Sequence, residues 1–177
     1  MLAAAGLVVA GCTSPSAAHG QPLGIGAARS LQPVGSCQAR HVNIADPQAW
    51  EPDPRCTPGA TDGGLTLSQL CPVAHTKQIR PPASYTGELK REQMRAYGET
   101  GSPRGYEEDH LIPLDLGGAP WDPANLWPEP HPSPNEKDGV EAAAHDAVCA
   151  GELSLRDAQR RIATDWYGLG RDLGVVN

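Results

Sequence analysis

Residues 106–118 read Tyr-Glu-Glu-Asp-His-Leu-Ile-Pro-Leu-Asp-Leu-Gly-Gly, and they concentrate side chains that move protons or hold cations. His110 suits a general base, because an unperturbed imidazole titrates near neutrality. Three carboxylates, Glu107, Glu108 and Asp109, directly precede it, and the Gly117-Gly118 pair marks a turn after it. Asp109 and His110 would project to opposite faces of a strict strand. They can serve one site only if the strand ends or bends here, which Pro113 and the glycine pair make reasonable. Asn125 stands further on, and then Asn135, Asp138, Glu141 and His145 fall on one side of a 3.6-residue pattern. Glu141 and His145, four residues apart on a helix, could share one ion.

The elements that must carry these groups are short. Residues from Tyr106 to Leu111 read as extended, 114–125 as a turn-rich connection, and a second extended piece begins at Leu126. Pro128, Pro130, Pro132 and Pro134 lack amide hydrogens and are expected to stop any ladder. A helix is expected from Pro134 or Asn135 to about Cys149, with Val140, Ala144, Ala147 and Val148 packing on its apolar side. Ser154 and Asp157 make a capping box for a last helix, where Leu155, Ala158, Ile162 and Trp166 form one stripe and Gly168 is the expected stop. Upstream, Tyr85 to Tyr97 carries Leu89, Gln93, Met94 and Tyr97 in helical rhythm before Gly98. Residues 37–82 are dense in Pro and Gly and read as irregular, with one short helix near Thr66 to Leu70.

The chain of 177 residues allows one modest core, yet it has no Phe and carries 20 Gly and 18 Pro, so much of it must be loop. A net charge of −7 argues against coating nucleic acid by bulk charge. A local basic run remains: Lys77, Arg80, Lys90, Arg91, Arg95 and Arg104 outnumber the nearby acids, with His75 at its edge. His19 and His41 carry no expected role, and His131, among prolines, reads as a surface residue.

Residues 1–12 are a short apolar run that ends in Val9-Ala10-Gly11-Cys12. They are too short to span a bilayer but suit an export signal, and they resemble the lipobox of bacterial lipoproteins, in which the cysteine is lipidated. Residues 13–36 read as a flexible tether, 37–82 as a loop-rich lead-in and 83–177 as the functional domain. Export makes disulfides possible for the remaining Cys37, Cys56, Cys71 and Cys149. Three connectivities are open, a zinc site is the competitor although no pair has the close spacing such sites usually show, and position favours Cys37 with Cys56 and Cys71 with Cys149.

The order Asp-His, glycine turn, Asn, short strand and polar-faced helix resembles the His-Asn-His (HNH) nuclease motif, the ββα-metal finger. The pieces that carry the resemblance are 106–118, Asn125-Leu126-Trp127 and the helix opening at Asn135-Glu136-Lys137-Asp138. From Cys56 to Trp166 the chain is similar to a family of exported bacterial proteins of that class. The resemblance implies an α+β fold with a small ββα-metal core and flanking helices. It implies an endonuclease in which His110 activates water, Asn125 holds the hairpin loop and orients the histidine, and Asp109 binds a divalent ion near the scissile phosphate. The third motif position departs from the pattern, with His131, Asn135 and Asp138 as candidates. Asn135 and His145 lie ten residues, roughly 15 Å, apart on a helix and cannot share an ion. Asn135 is the expected second ligand, supported by Asp138, and His145 would then bond Glu141. Oxygen ligands suit Mg²⁺, with Mn²⁺ or Zn²⁺ as alternatives.

The expected substrate is DNA, or else RNA, approached over Lys77, Arg80, Lys90 and Arg91, by a monomer anchored through lipid to the outer side of the membrane. The alternatives are a non-catalytic envelope lipoprotein that uses the same scaffold for binding or structure, and a hydrolase of some other phosphodiester.

Overall fold

In the computed structural model, residues 32–72 and 75–177 are described. The lipobox, Cys12 and most of the expected tether, His19 included, lie outside them. The described residues form one compact unit of mixed α and β structure. No helix among the described residues is long and apolar enough to cross a membrane.

The lead-in contributes strands β1 (Arg40–His41) and β2 (Trp50–Glu51), paired antiparallel, and the short helices α1 (Leu67–Leu70) and α2 (His75–Ile79). It packs as part of the core. Ala49 is fully buried, the Trp50 carbonyl accepts from Trp166 Nε1 at 2.7 Å, and Thr57 Oγ1 meets the Tyr97 hydroxyl at 2.9 Å. The structure pairs Cys37 with Cys56 and Cys71 with Cys149. The second bridge closes a loop of 78 residues and ties the end of α1 to a late helix. Loop closure of that size removes about 4–5 kcal/mol of chain entropy from the unfolded state.

Helix α3 (Ala83–Ala96) is followed by the hairpin of β3 (Tyr106–His110) and β4 (Leu126–Pro130). Its register runs from Tyr106 opposite Pro130 to His110 opposite Leu126, so the ladder passes the prolines that were expected to end it. The Leu111 amide donates to the Asn125 carbonyl at 2.8 Å, which places Pro128 and Pro130 at the non-hydrogen-bonded pairs. A proline there has no ladder bond to lose. Trp127 is fully buried beside Cys37, Ala96, Tyr97 and Leu111.

The connection between the strands reverses at Gly117 and Gly118 for two different reasons. Gly117 has φ 77°, a left-handed conformation that favours glycine. A Cβ on Gly118 would stand 1.8 Å from the Ile112 carbonyl oxygen, so only glycine lets the loop close.

Helices α4 (Glu136–Cys149) and α5 (Leu155–Asp172) pack antiparallel as the largest core, through Val140, Ala144 and Val148 against Ala158, Ile162, Trp166 and Leu169. Helix α5 does not stop at Gly168. It breaks at Asp165 (φ −168°, ψ 62°), whose carboxylate accepts from the Gly168 amide at 3.0 Å and caps a second helical segment. Gly170 in that segment lets the helices approach closely, since a Cβ there would meet Val140 Cγ2 at 2.5 Å.

Candidate functional site

The β3–β4 hairpin with α4 after it gives a ββα order, and the alternation of β3 divides its polar residues between two faces. Glu107 and Asp109 share a face with their cross-strand partners Glu129 and Trp127, and Lys137 and Glu141 of α4 meet it. Glu108 and His110 point the other way.

The first face is organised by Lys137, which sequence reasoning passed over. Its side chain is 1% exposed, and its Nζ donates to Asp109 Oδ2 at 2.8 Å, to the His110 main-chain carbonyl at 3.4 Å and to Glu141 Oε1. Asp109 Oδ2 also accepts from Trp127 Nε1 at 2.9 Å. Burial by itself would lower the Lys137 pKa, but Asp109, Glu141 and Glu129 outweigh it and hold the ammonium well above its ordinary range. Burial raises Glu129 well above the usual carboxylate range, aided by Asp109 and opposed by Lys137. Burial and the Asp109 charge push Glu107 up to about 7. The only legible hint of this centre was the i, i+4 spacing of Lys137 and Glu141 after an acidic strand.

Asn135 is the N-cap of α4. Its Oδ1 accepts from the Lys137 amide at 2.9 Å and the Asp138 amide at 3.3 Å, while Nδ2 donates to Glu129 Oε2 at 3.2 Å. Asp138 completes the capping box by accepting from the Asn135 amide at 2.9 Å. These are jobs of helix initiation. His145 does not bond Glu141. Its Nε2 lies 3.3 Å from the Leu70 carbonyl and 3.5 Å from Cys149 Sγ. His131 Nε2 meets the Pro47 carbonyl at 2.9 Å.

On the second face, His110 Nε2 lies 3.0 Å from the Pro120 carbonyl. A carbonyl can only accept, so Nε2 carries the proton and Nδ1 keeps its lone pair. Burial lowers the His110 pKa, against the raising influence of Pro120 and Asp109, and the ring stays neutral at neutral pH. Asn125 is fully buried and fixes the loop that supplies this acceptor. Its Oδ1 accepts from the Ile112 amide at 2.9 Å, and its Nδ2 donates to the carbonyls of Ile112 at 2.9 Å and Ala119 at 3.3 Å. Ala119 precedes Pro120, so Asn125 sits one residue from the group that orients His110.

Of the basic residues, Arg80 is exposed and near enough to His110, Glu107 and Asp115 to act on their charges. Lys77 on α2 and Arg91 on α3 are exposed. Lys90 is committed to the backbone, with Nζ 2.9 Å from the carbonyls of Pro103 and Tyr106. Beside it a cleft of about 370 Å³ is lined by Thr86, Lys90, Glu107, Glu108 and Ser133. Burial raises Glu108 to about 9, and neither of its carboxyl oxygens bonds a protein group.

Among the described residues, the grouping of His, Cys, Asp and Glu whose donor atoms all lie within 4.8 Å is Cys71, His145 and Cys149, away from the hairpin face. A comparison with protein-family models, with curated proteins and with solved structures found no match.

Proposed function

We propose that the chain is an endonuclease of the His-Asn-His type, which hydrolyses phosphodiester bonds of DNA or RNA with His110 as general base. The observation that carries this reading is the held tautomer of His110. A neutral ring with Nε2 bound to the Pro120 carbonyl leaves Nδ1 to take the proton of an attacking water. Asn125 is a positioning residue, acting through the 112–120 loop. Arg80 offers positive charge beside the base, and exposed Lys77 and Arg91 extend it for a phosphate backbone. Two disulfides suit an oxidising compartment outside the cytoplasm, in keeping with export and a lipid anchor at Cys12.

A divalent ion at Asp109 and Asn135 does not fit the residues present. The Asp109 oxygen that faces α4 already accepts two hydrogen bonds, the Asn135 oxygen caps a helix, and an ammonium stands among the carboxylates. The reading therefore routes no step through an ion at that place. Lys137 is shut from solvent and acts as internal counter-charge, holding Asp109 and the end of β3.

The scaffold alternative has its own observation: His110 is only 5% exposed, so substrate must reach the ring through a narrow opening or a local movement. Incubating the oxidised chain with supercoiled plasmid, single-stranded DNA and RNA separates the readings. His110→Ala is expected to keep binding and lose cleavage about 10²–10⁴-fold. Binding without cleavage by the parent chain would favour the scaffold.

A further inference from the structure

His145 and Cys149 lie four residues apart on α4, one turn along the same face, as paired metal ligands on a helix do. Cys71, just after α1, reaches the same place through its bond to Cys149, with Cα atoms 5.7 Å apart. A zinc ion holds thiolate sulfur at about 2.3 Å and imidazole nitrogen at about 2.0–2.1 Å in tetrahedral geometry, which puts sulfur and nitrogen roughly 3.5 Å apart. Cys149 Sγ and His145 Nε2 already stand 3.5 Å apart. Only the two sulfurs are closer than a shared ion requires, because they are bonded to each other.

The two bridges of the molecule differ in this respect. Cys37 is buried, packed with Ala96, Tyr97, Leu111 and Trp127, and no histidine joins its pair in a donor cluster among the described residues. Cys149 is exposed and Cys71 half-buried, so a reductant can reach this bond directly. His145 also has the support that metal-bound histidines use. Nε2 now donates to the Leu70 carbonyl at 3.3 Å, so ligation moves the ring proton to Nδ1, where Asp146 Oδ1, 3.7 Å away, favours it and Nε2 turns to the ion.

We propose that Cys71, Cys149 and His145 form a zinc-class metal site when the Cys71–Cys149 bond is reduced, so that the same residues serve as covalent staple or as metal centre. The reductant is a dithiol. One of its thiolates attacks a sulfur of the bridge and expels the other as thiolate, and its second thiol then closes on the first. The dithiol leaves as a cyclic disulfide, with two electrons passed to Cys71 and Cys149. Zn²⁺ then displaces two protons from the thiols, and its charge balances the two thiolates. A fourth position is left for water.

The test uses the full chain in two redox states. Reduced under anaerobic conditions with a phosphine, it is expected to bind one equivalent of Zn²⁺, and Co²⁺ in its place should give the near-ultraviolet absorption of thiolate ligation. The oxidised chain should do neither. His145→Ala is expected to weaken binding of the reduced chain at least tenfold. Cys71→Ser combined with Cys149→Ser should abolish it while Cys37 and Cys56 remain. If reduction alone unfolds the chain, Zn²⁺ is expected to restore the native circular dichroism. Equal zinc binding by the oxidised chain or by either variant overturns the proposal, as does a reduced chain that neither binds zinc nor refolds with it.

Discussion

The two long sides of α4 both pack against the rest of the molecule, and they hold the protein together by different means. On one side Val140, Ala144 and Val148 meet α5 in an apolar seam that Gly170 allows to close tightly. On the other, Lys137, Glu141, His145 and Cys149 follow at four-residue intervals, and each is matched to a particular partner: Asp109, Lys137, the Leu70 carbonyl and Cys71. Apolar burial tolerates exchange among side chains of similar volume. A buried charge depends on its partner, so the polar side fixes how the hairpin and α1 sit against the helix, whereas the apolar side supplies bulk cohesion.

The largest effect should come from breaking the polar side at its centre. Lys137→Met leaves Asp109 and Glu141 without counter-charge and is expected to cost about 3–5 kcal/mol, read as a lower denaturant midpoint. A loss under about 1 kcal/mol would mean that the carboxylates there accept protons at little cost. Gly170→Ala probes the apolar side. Its methyl collides with Val140 Cγ2 and Val176 Cγ2 at 2.5 and 2.9 Å, and overpacking of that kind costs about 1–3 kcal/mol.

Acidity probes the carboxylates of β3 without mutation. Glu107 and Glu108 have folded-state pKa values of about 7 and about 9, both above the ordinary 4.5, so the folded chain holds protons that the unfolded chain has released. Their contribution to stability is fully present below about pH 4.5 and is lost as pH rises through 7 and then 9. Melting temperature should therefore fall between pH 5.5 and 9, by on the order of 5 °C. Glu107→Gln combined with Glu108→Gln should make the slope shallower, leaving the part that Glu129 and Glu141 contribute, and an unchanged slope would show that Glu107 and Glu108 titrate normally. The smallest effect is expected at the start of α4, where Asn135→Ala removes an N-cap and costs about 1 kcal/mol. Mg²⁺ should leave that difference unchanged.

The hairpin, α3, α4 and the stripe of α5 were legible because period and punctuation agree there: Leu155, Ala158, Ile162 and Trp166 were read as one stripe and pack as one. The continuation of α5 past Gly168 was hidden, because a side-chain cap at Asp165 restarts the helix ahead of a glycine that reads as a stop signal. Pro128 and Pro130 misled because their effect on a ladder depends on register. At the site, Asp109, His110 and Asn125 stood out by type and spacing. The role of Asn135 did not, since an asparagine before a helix reads equally as cap or ligand until its oxygen is seen to face two amides. Lys137 was invisible because a lysine in a charged helical turn ordinarily faces water, and only the packed hairpin shows that it does not.

The most direct test is the metal dependence of cleavage by the oxidised chain. Supercoiled plasmid would be incubated with it in EDTA and in Mg²⁺, with His110→Ala in parallel. Nicking that disappears in His110→Ala and does not depend on an ion held by Asp109 is the predicted result. Nicking that requires Mg²⁺ and is lost in Asp109→Ala at unchanged stability would contradict the account, because it would place an ion where the structure holds the Lys137 ammonium.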